Sequence, residues 1–463
     1  MNVRLRQDAG FILVNRWDNR RQSYADVGTL AYQRLDGGRL AVAFRYDPDY
    51  EAGGGADLDP ANLAVGSHTG LYPAPGNRGE VPPYFTQFLP GDFHHHLLRQ
   101  SSPEWDSLTE VERLWAITLA RGEHGALFLN AQHDQAGDGP VRDKAALARL
   151  VAAIRRVQAG LEPTGDVDPA ALAMALGRAR GRKPTIAFRQ DGASPRTRYL
   201  IKLNARGPLN EARVTDGLAR LAFQGGIQTA ACEAVRLDPD EDVLVQHDYA
   251  YDERPARGGQ RTLLRYNRVS FRVLLANDPA LPAHGTPSVA HLVRVIDRFS
   301  ADPDSDRLEL LRRLLFDIGV RHTANGPEHL ELVDRSCNEW RLAPSFHLMP
   351  NPAADAAFAI HFGDGLTAAD FIGLTPERVE GLIEEVGVDR RAGLAAAARV
   401  VTALGDPEPC LAAAGVSAEQ RALVTSLIDT TAVQNTRLYL ADQPGAIAPV
   451  DATPAPGSTP RPG

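Results

Sequence analysis

The chain has 463 residues, 43% apolar and 23% charged side chains and a formal net charge of −8, a balance that excludes fibrous or largely disordered classes and allows two or three substructures with their own cores. The acidic balance argues against gripping nucleic acid by bulk electrostatics, which leaves a local basic face, or indirect association through a partner that brings most of the positive charge, as the routes to DNA. Cys232, Cys337 and Cys410 lie far apart with no CxxC spacing, which gives no sign of a disulfide framework or a structural zinc site and fits a reducing cytoplasm.

Near the N-terminus the longest apolar run is residues 11–14, far short of a signal-peptide core or a membrane span, so a soluble, unexported protein without membrane association is expected. Residues 1 to about 130 read as a strand-rich start giving way to helices. Residues 28–32 and 40–46 are β-type runs around the turn Asp36-Gly37-Gly38, and residues 51–80, rich in Gly, Pro, Asn and Asp, read as loop. A helix is expected at about 108–120. The run His94-His95-His96 lacks a third ligand at a set spacing and reads as a solvated helix start rather than a metal site.

Residues 144–159 have helical spacing, and 160–168 read as a linker. Residues 185–188 and 199–203 read as a hairpin, with Leu200 and Lys202 on one face and Tyr199, Ile201 and Leu203 on the other. A helix over 210–224 follows, capped by Asn210 and closed by Gly225-Gly226. From about 262 to 442 the pattern is mostly helical, with helices expected at 291–299, 308–320, 376–386, 390–404 and 418–430. The Pro-, Ala- and Gly-rich segment 443–463 reads as a disordered tail.

The composition singles out one residue for chemistry. Only Lys144, Lys183 and Lys202 are lysines among 50 Lys and Arg residues, and a compact ammonium is not interchangeable with a guanidinium fork. Lys202 sits on a strand followed at once by a helix with an early Glu211. Kinases use that arrangement, the Lys contacting nucleotide phosphates and an acidic residue holding it. A surface ion pair on an ordinary α/β unit has the same local pattern.

The surrounding motifs resemble the HipA family of bacterial toxin kinases. Gly28-Thr29-Leu30, then Phe44 with Tyr46-Asp47, then Tyr84-Phe85 with Leu89-Pro90, then Gly122 with Gly125-Ala126-Leu127, resemble the N-terminal subdomain of that family. The run 198–203 (RYLIKL), Asn210-Glu211, 219–222 (ARLA) and 225–227 (GGI) resemble its nucleotide lobe, with 243–248 as the hinge strand that brings Gln246 and His247 to the nucleotide. The hinge motif that follows is blurred between residues 247–250 and 251–254. The phosphate loop should fall near 177–183, where GRARGRK carries no Ser or Thr. The resemblance implies an α+β, bilobal protein-kinase-like fold. Residues 1–155 would form the N-terminal subdomain, 156–250 the nucleotide-lobe sheet and helix, and 251–442 the helical C-terminal lobe.

Trp340, Leu342, Pro344, Phe346 and Leu348 match the family's Trp-x-Leu-x-Pro-x-Tyr-Asp-Leu turn, which puts His347 at its magnesium-binding Asp. Carried back over the loop, the same register puts His322 at the first Asn of Asn-x-Asp-x-x-x-x-Asn, Ala324 at the catalytic Asp and His329 at the metal-binding Asn. Alanine cannot orient a hydroxyl, and imidazole suits softer ions than magnesium. The expectation is a pseudokinase that keeps Lys202, with ATP a possible ligand and Mg²⁺ doubtful.

Three alternatives stand beside it. The chain would be an active, divergent Ser/Thr kinase acting on a translation-related protein if Asn325, Glu328, Asp317 or Asp334 supplied the missing groups. His329 and His347 would hold zinc if they formed a new metal site. A chance motif match on an unrelated protein is the third. For partners, the resemblance implies an antitoxin-like DNA-binding protein or another HipA-like protein.

Overall fold

A computed structural model of the chain describes residues 8–66, 70–118, 122–129, 144–161, 185–189, 198–205, 207–239, 241–255, 261–281, 285–353, 357–362 and 373–443. The segment 177–183, the hairpin turn between the two strands near 190–197 and the tail from 444 onward lie outside them.

The N-terminal sheet has six strands in the order Tyr72–Pro73, Leu40–Tyr46, Ser23–Arg34, Ala9–Asp18, Leu127–Leu129, Gly122–His124. In Ala9–Asp18, Ile12 and Val14 are buried while Phe11 and Leu13 point outward. Apolar residues on both faces hide the alternation that marks a strand, which is why this segment reads from sequence only as a short apolar run. The inner face packs Phe44 against Phe85, ring centroids 5.3 Å apart, from the 3-10 turn Pro83–Phe88.

The second sheet, in the order Thr185–Arg189, Arg198–Leu203, Glu241–His247, Cys232–Asp238, is antiparallel throughout. Ile186, Ile201, Leu203 and Val243 form a core with Leu147, Leu150 and Ile154 of the helix Lys144–Gln158. The period of two therefore turns Leu200 and Lys202 to the opposite side, where they line a cleft. The helix Glu211–Gln224 packs beside Cys232–Asp238 and Glu241–His247, and the Asn210 side chain caps it by accepting from Arg213 N.

The C-terminal part is helical: Val289–Phe299, Pro303–Gly319, Pro376–Val386, Arg390–Leu404, Glu408–Ala413, Ala418–Leu427 and Thr430–Ala441. Asp302, Thr375, Asp389, Ser417 and Asp429 each cap a helix start with a side-chain oxygen. Pro303–Gly319 is buried nearly all round, with Leu310, Leu311, Leu314, Leu315, Phe316 and Ile318 in the core, and it carries the chain into the central loop. After that loop Glu331–Asp334 and Trp340–Leu342 join the earlier strand Asn267–Ser270 in a three-stranded sheet.

One expectation needs correcting. The His94-His95-His96 run does lie at the start of the helix Asp92–Ser101 and His96 is exposed, but the run is not solvated throughout. His94 is buried, and His95 Nδ1 accepts from Trp105 Nε1 at 2.8 Å. The three cysteines are free, and no described helix is long and apolar enough to cross a membrane.

Candidate functional site

A cleft of about 1500 Å³ lies on the open face of the second sheet, and its far wall comes from the central loop and the turn at 344–352. Lys202 and Gln246 reach across it. Lys202 Nζ donates to Phe346 O at 3.0 Å and Gln246 Nε2 to the same oxygen at 2.9 Å. Register explains the convergence: Lys202 pairs with Leu244 and Leu200 with Gln246, so Lys202 and Gln246 stand diagonally on neighbouring strands. The carbonyl is held in place because residue 345 bridges Thr229 as a parallel pair, with Ala230 N to Ser345 O at 2.8 Å and Ser345 N to Gln228 O at 2.7 Å. Gln246 is 2% exposed, and its Oε1 has no hydrogen-bond partner among the described residues.

On the far wall three imidazoles meet. His322 is fully buried, its Nδ1 2.9 Å from Asp317 Oδ1 and its Nε2 3.1 Å from His347 Nδ1. His347 stacks on His329, centroids 4.6 Å apart and planes within 7°. With Asp317 accepting, His322 Nδ1 must carry a hydrogen, and one further hydrogen is shared between His322 Nε2 and His347 Nδ1. The chain Asp317–His322–His347 thus starts from a buried carboxylate and ends on a ring that lines the cleft. Backbone geometry sets it up: Arg321 takes a left-handed φ of 55°, and His322 N bonds to Asp317 O at 2.8 Å, which turns the chain sharply at the helix end.

Ala324, at the position the resemblance gives to a catalytic Asp, lines the same cleft and is exposed. The substitutes that a shifted register would offer are mostly engaged elsewhere. Asn325 Nδ2 donates to Asp317 Oδ2, and Asp334 pairs with Arg16 at 2.8 Å, 1% exposed. Glu328 lines the cleft, its carboxylate lying over Gly326. Among the described residues no group of three or more His, Cys, Asp or Glu is arranged to hold a metal ion, so the zinc alternative finds no ligand set there.

Glu211 and His247 also line the cleft. The Glu211 carboxylate accepts from Ala205 N at 2.7 Å, tying down the loop between strand and helix. Burial lowers the pKa of His247, against the pull of Asp248 and Asp252.

Sequence reasoning missed a second polar group on this cleft. The Tyr249 hydroxyl donates to Glu331, and Arg268 lies 3.8 Å from Glu331 and 3.9 Å from Asp248. Burial opposes the Arg268 charge, but Glu331 and Asp248 hold it protonated, while burial and then Glu331 push the Tyr249 hydroxyl well above its ordinary range. Arg268 is flanked by Asn267 and Val269 in the strand Asn267–Ser270, so it lacks the apolar neighbours on both sides that marked Lys202.

This architecture, a strand-rich part and a helical part with a cleft crossed by a strand lysine, is a HipA-like protein-kinase fold. In particular, the chain is similar to HipA of Shewanella oneidensis MR-1, solved with HipB and its operator DNA, at a TM-score of 0.63 and 13% identity over 93% of this chain and 96% of that one. At that identity the likeness concerns the fold. The proinflammatory kinase CtkA of Helicobacter pylori also matches, at 10% identity over 56% of this chain and 94% of that one, but its TM-score of 0.36 carries no weight. No family model and no curated protein matches the sequence.

Proposed function

We propose that this chain is a HipA-like pseudokinase: its cleft binds a nucleotide, it does not transfer phosphate, and it acts through protein partners. Ala324 is the observation that carries the reading. Phosphoryl transfer needs a group to orient the acceptor hydroxyl and oxygen ligands for magnesium. At the position that the resemblance gives to the orienting Asp there is a methyl group lining the cleft, and at the two positions it gives to metal ligands His329 and His347 stack on each other.

Retained binding has separate support. Lys202 reaches the cleft, and the buried Gln246 Oε1 is an acceptor that a ligand N–H or O–H would satisfy. The HipA neighbour was solved with HipB and operator DNA, which favours an antitoxin-like DNA-binding partner for this chain, consistent with its net charge of −8. Purified protein incubated with labelled ATP and magnesium tests the reading. No transfer above the level of Lys202→Ala is expected; robust transfer that vanishes in Lys202→Ala overturns it.

A further inference from the structure

We infer that the turn at residues 18–22, between the strands Ala9–Asp18 and Ser23–Arg34, is a clamp on the floor of the cleft, so that loosening this turn weakens what the cleft binds. The chain leaves the second sheet at His247, lines the cleft through Asp248, Tyr249 and Tyr251, and continues as an antiparallel ribbon of Tyr251–Pro255 and Arg261–Arg265. The ribbon pairs with no third strand among the described residues. Two amide side chains from the turn take that place. Gln22 Nε2 donates to Leu263 O and its Oε1 accepts from Leu263 N, both at 2.9 Å. Asn19 Nδ2 donates to Arg265 O at 3.0 Å and its Oδ1 accepts from Arg265 N at 2.8 Å. Each amide faces one backbone donor and one backbone acceptor, which fixes its orientation. Gln22 does this from a left-handed backbone with φ 55°. Turn geometry alone favours glycine there, so the glutamine is explained by what its side chain holds.

The clamp reaches the cleft through Tyr251, which pairs with Arg265 at the root of the ribbon. The Tyr251 ring lies between two guanidinium groups, Arg265 at 5.3 Å and Arg198 at 4.5 Å from its centroid. Arg265 is buried against Trp17, Tyr24 and Phe128 of the N-terminal sheet as well. The Tyr251 hydroxyl donates to Gly125 O at 3.0 Å and accepts from Arg198 Nη1 at 2.7 Å. Arg198 in turn stands 3.5 Å from Asp248, and Arg268 lies 3.9 Å from Asp248 and 3.8 Å from Glu331. Both carboxylates at this end of the cleft therefore belong to the network that Tyr251 anchors. Displacing Tyr251 moves Arg198 and Asp248 with it, which changes the charge that a ligand in the cleft meets.

Two measurements on the full chain test this: calorimetric titration with ADP, which rests on the reading of the cleft as a nucleotide site, and amide hydrogen exchange, which does not. Gln22→Gly removes the clamping amide and eases the left-handed backbone, so the turn still forms. ADP affinity should fall by about fivefold. Tyr251→Phe should lower it by a similar factor, and the double variant should bind within about twofold of the weaker single one, because both changes cut one path. In exchange, Gln22→Gly should expose the amides of Leu263 and Arg265. It should also speed those of Asp248 and Tyr251, which donate to Arg198 O and Asp248 O, by about tenfold. A packing role for Gln22 would leave that second pair untouched. Faster exchange confined to residues 263 and 265, an unchanged ADP affinity in Gln22→Gly, or losses that multiply in the double variant overturn the clamp and leave the nucleotide reading standing. No ADP binding by the unmodified chain overturns that reading, and the exchange pattern then decides the clamp by itself.

Discussion

The turn that positions Phe346 and His347 depends on a buried ion pair, and breaking that pair is a severe test of how the site is built. Glu309 and Arg313, one helical turn apart on Pro303–Gly319, are each 3% exposed at the side chain and 2.9 Å apart. Arg313 Nη2 also donates to Ala343 O at 2.7 Å, and Glu309 Oε1 accepts from Gln228 N at 3.0 Å. The pair therefore holds both strands of the contact around Ser345. Glu309→Ala leaves a buried guanidinium with one carbonyl and an orphaned Gln228 N–H. Loss of one partner of a buried pair costs about 3–5 kcal/mol, and the unmet N–H falls largely within that range.

Replacing both, Glu309→Leu with Arg313→Met, removes the stranded charge and should cost less than the single change, roughly 2 kcal/mol or below. Urea unfolding followed by circular dichroism measures both. A cost below about 1 kcal/mol for Glu309→Ala, or a double variant weaker than the single one, refutes the reasoning.

Two further outcomes follow from single residues. Asp59 is fully buried, and burial raises its pKa from 3.8 to about 6, against hydrogen bonds from Asn62 and Ala61. The folded state holds this proton more tightly than the unfolded one, so stability falls as pH rises from about 4 to about 6 and levels off above, by on the order of 3 kcal/mol in total. Thermal unfolding between pH 4 and 7 should show that fall, and Asp59→Asn should flatten it; an unchanged slope in the variant counts against the burial argument. Gly125 has φ +58, and a Cβ there would meet Tyr266 O at 2.4 Å, the carbonyl that accepts from Ala126 N at 3.0 Å. Gly125→Ala should cost about 1–3 kcal/mol by differential scanning calorimetry, and a neutral result would mean that this close approach is unimportant.

Local chemistry was readable without coordinates. The Asn210 cap, the Gly225-Gly226 closure, the strands Leu40–Tyr46 and Arg198–Leu203 and most of the C-terminal helices lie where periodicity and capping residues put them. The facing of Lys202 followed from alternation with a period of two. Ala9–Asp18 was harder, because apolar side chains on both of its faces blur that alternation. The short helix Glu408–Ala413 and the final helix Thr430–Ala441 bury only a few side chains each, so their apolar signal is weak.

The family resemblance carried by residues 28–127, 198–227 and 340–348 implied the fold, the register of residues 340–348 implied positions for His329 and His347, and Lys202 was singled out by its strand and the helix after it. What the imidazoles do there is a different kind of fact. That His322 links a buried Asp317 to His347, that His329 stacks on that ring, and that Lys202 and Gln246 share the Phe346 carbonyl were decided by tertiary structure alone. Those partners lie 5, 25, 18, 144 and 100 residues apart in sequence, and a hydrogen bond depends on distances that only the folded chain sets.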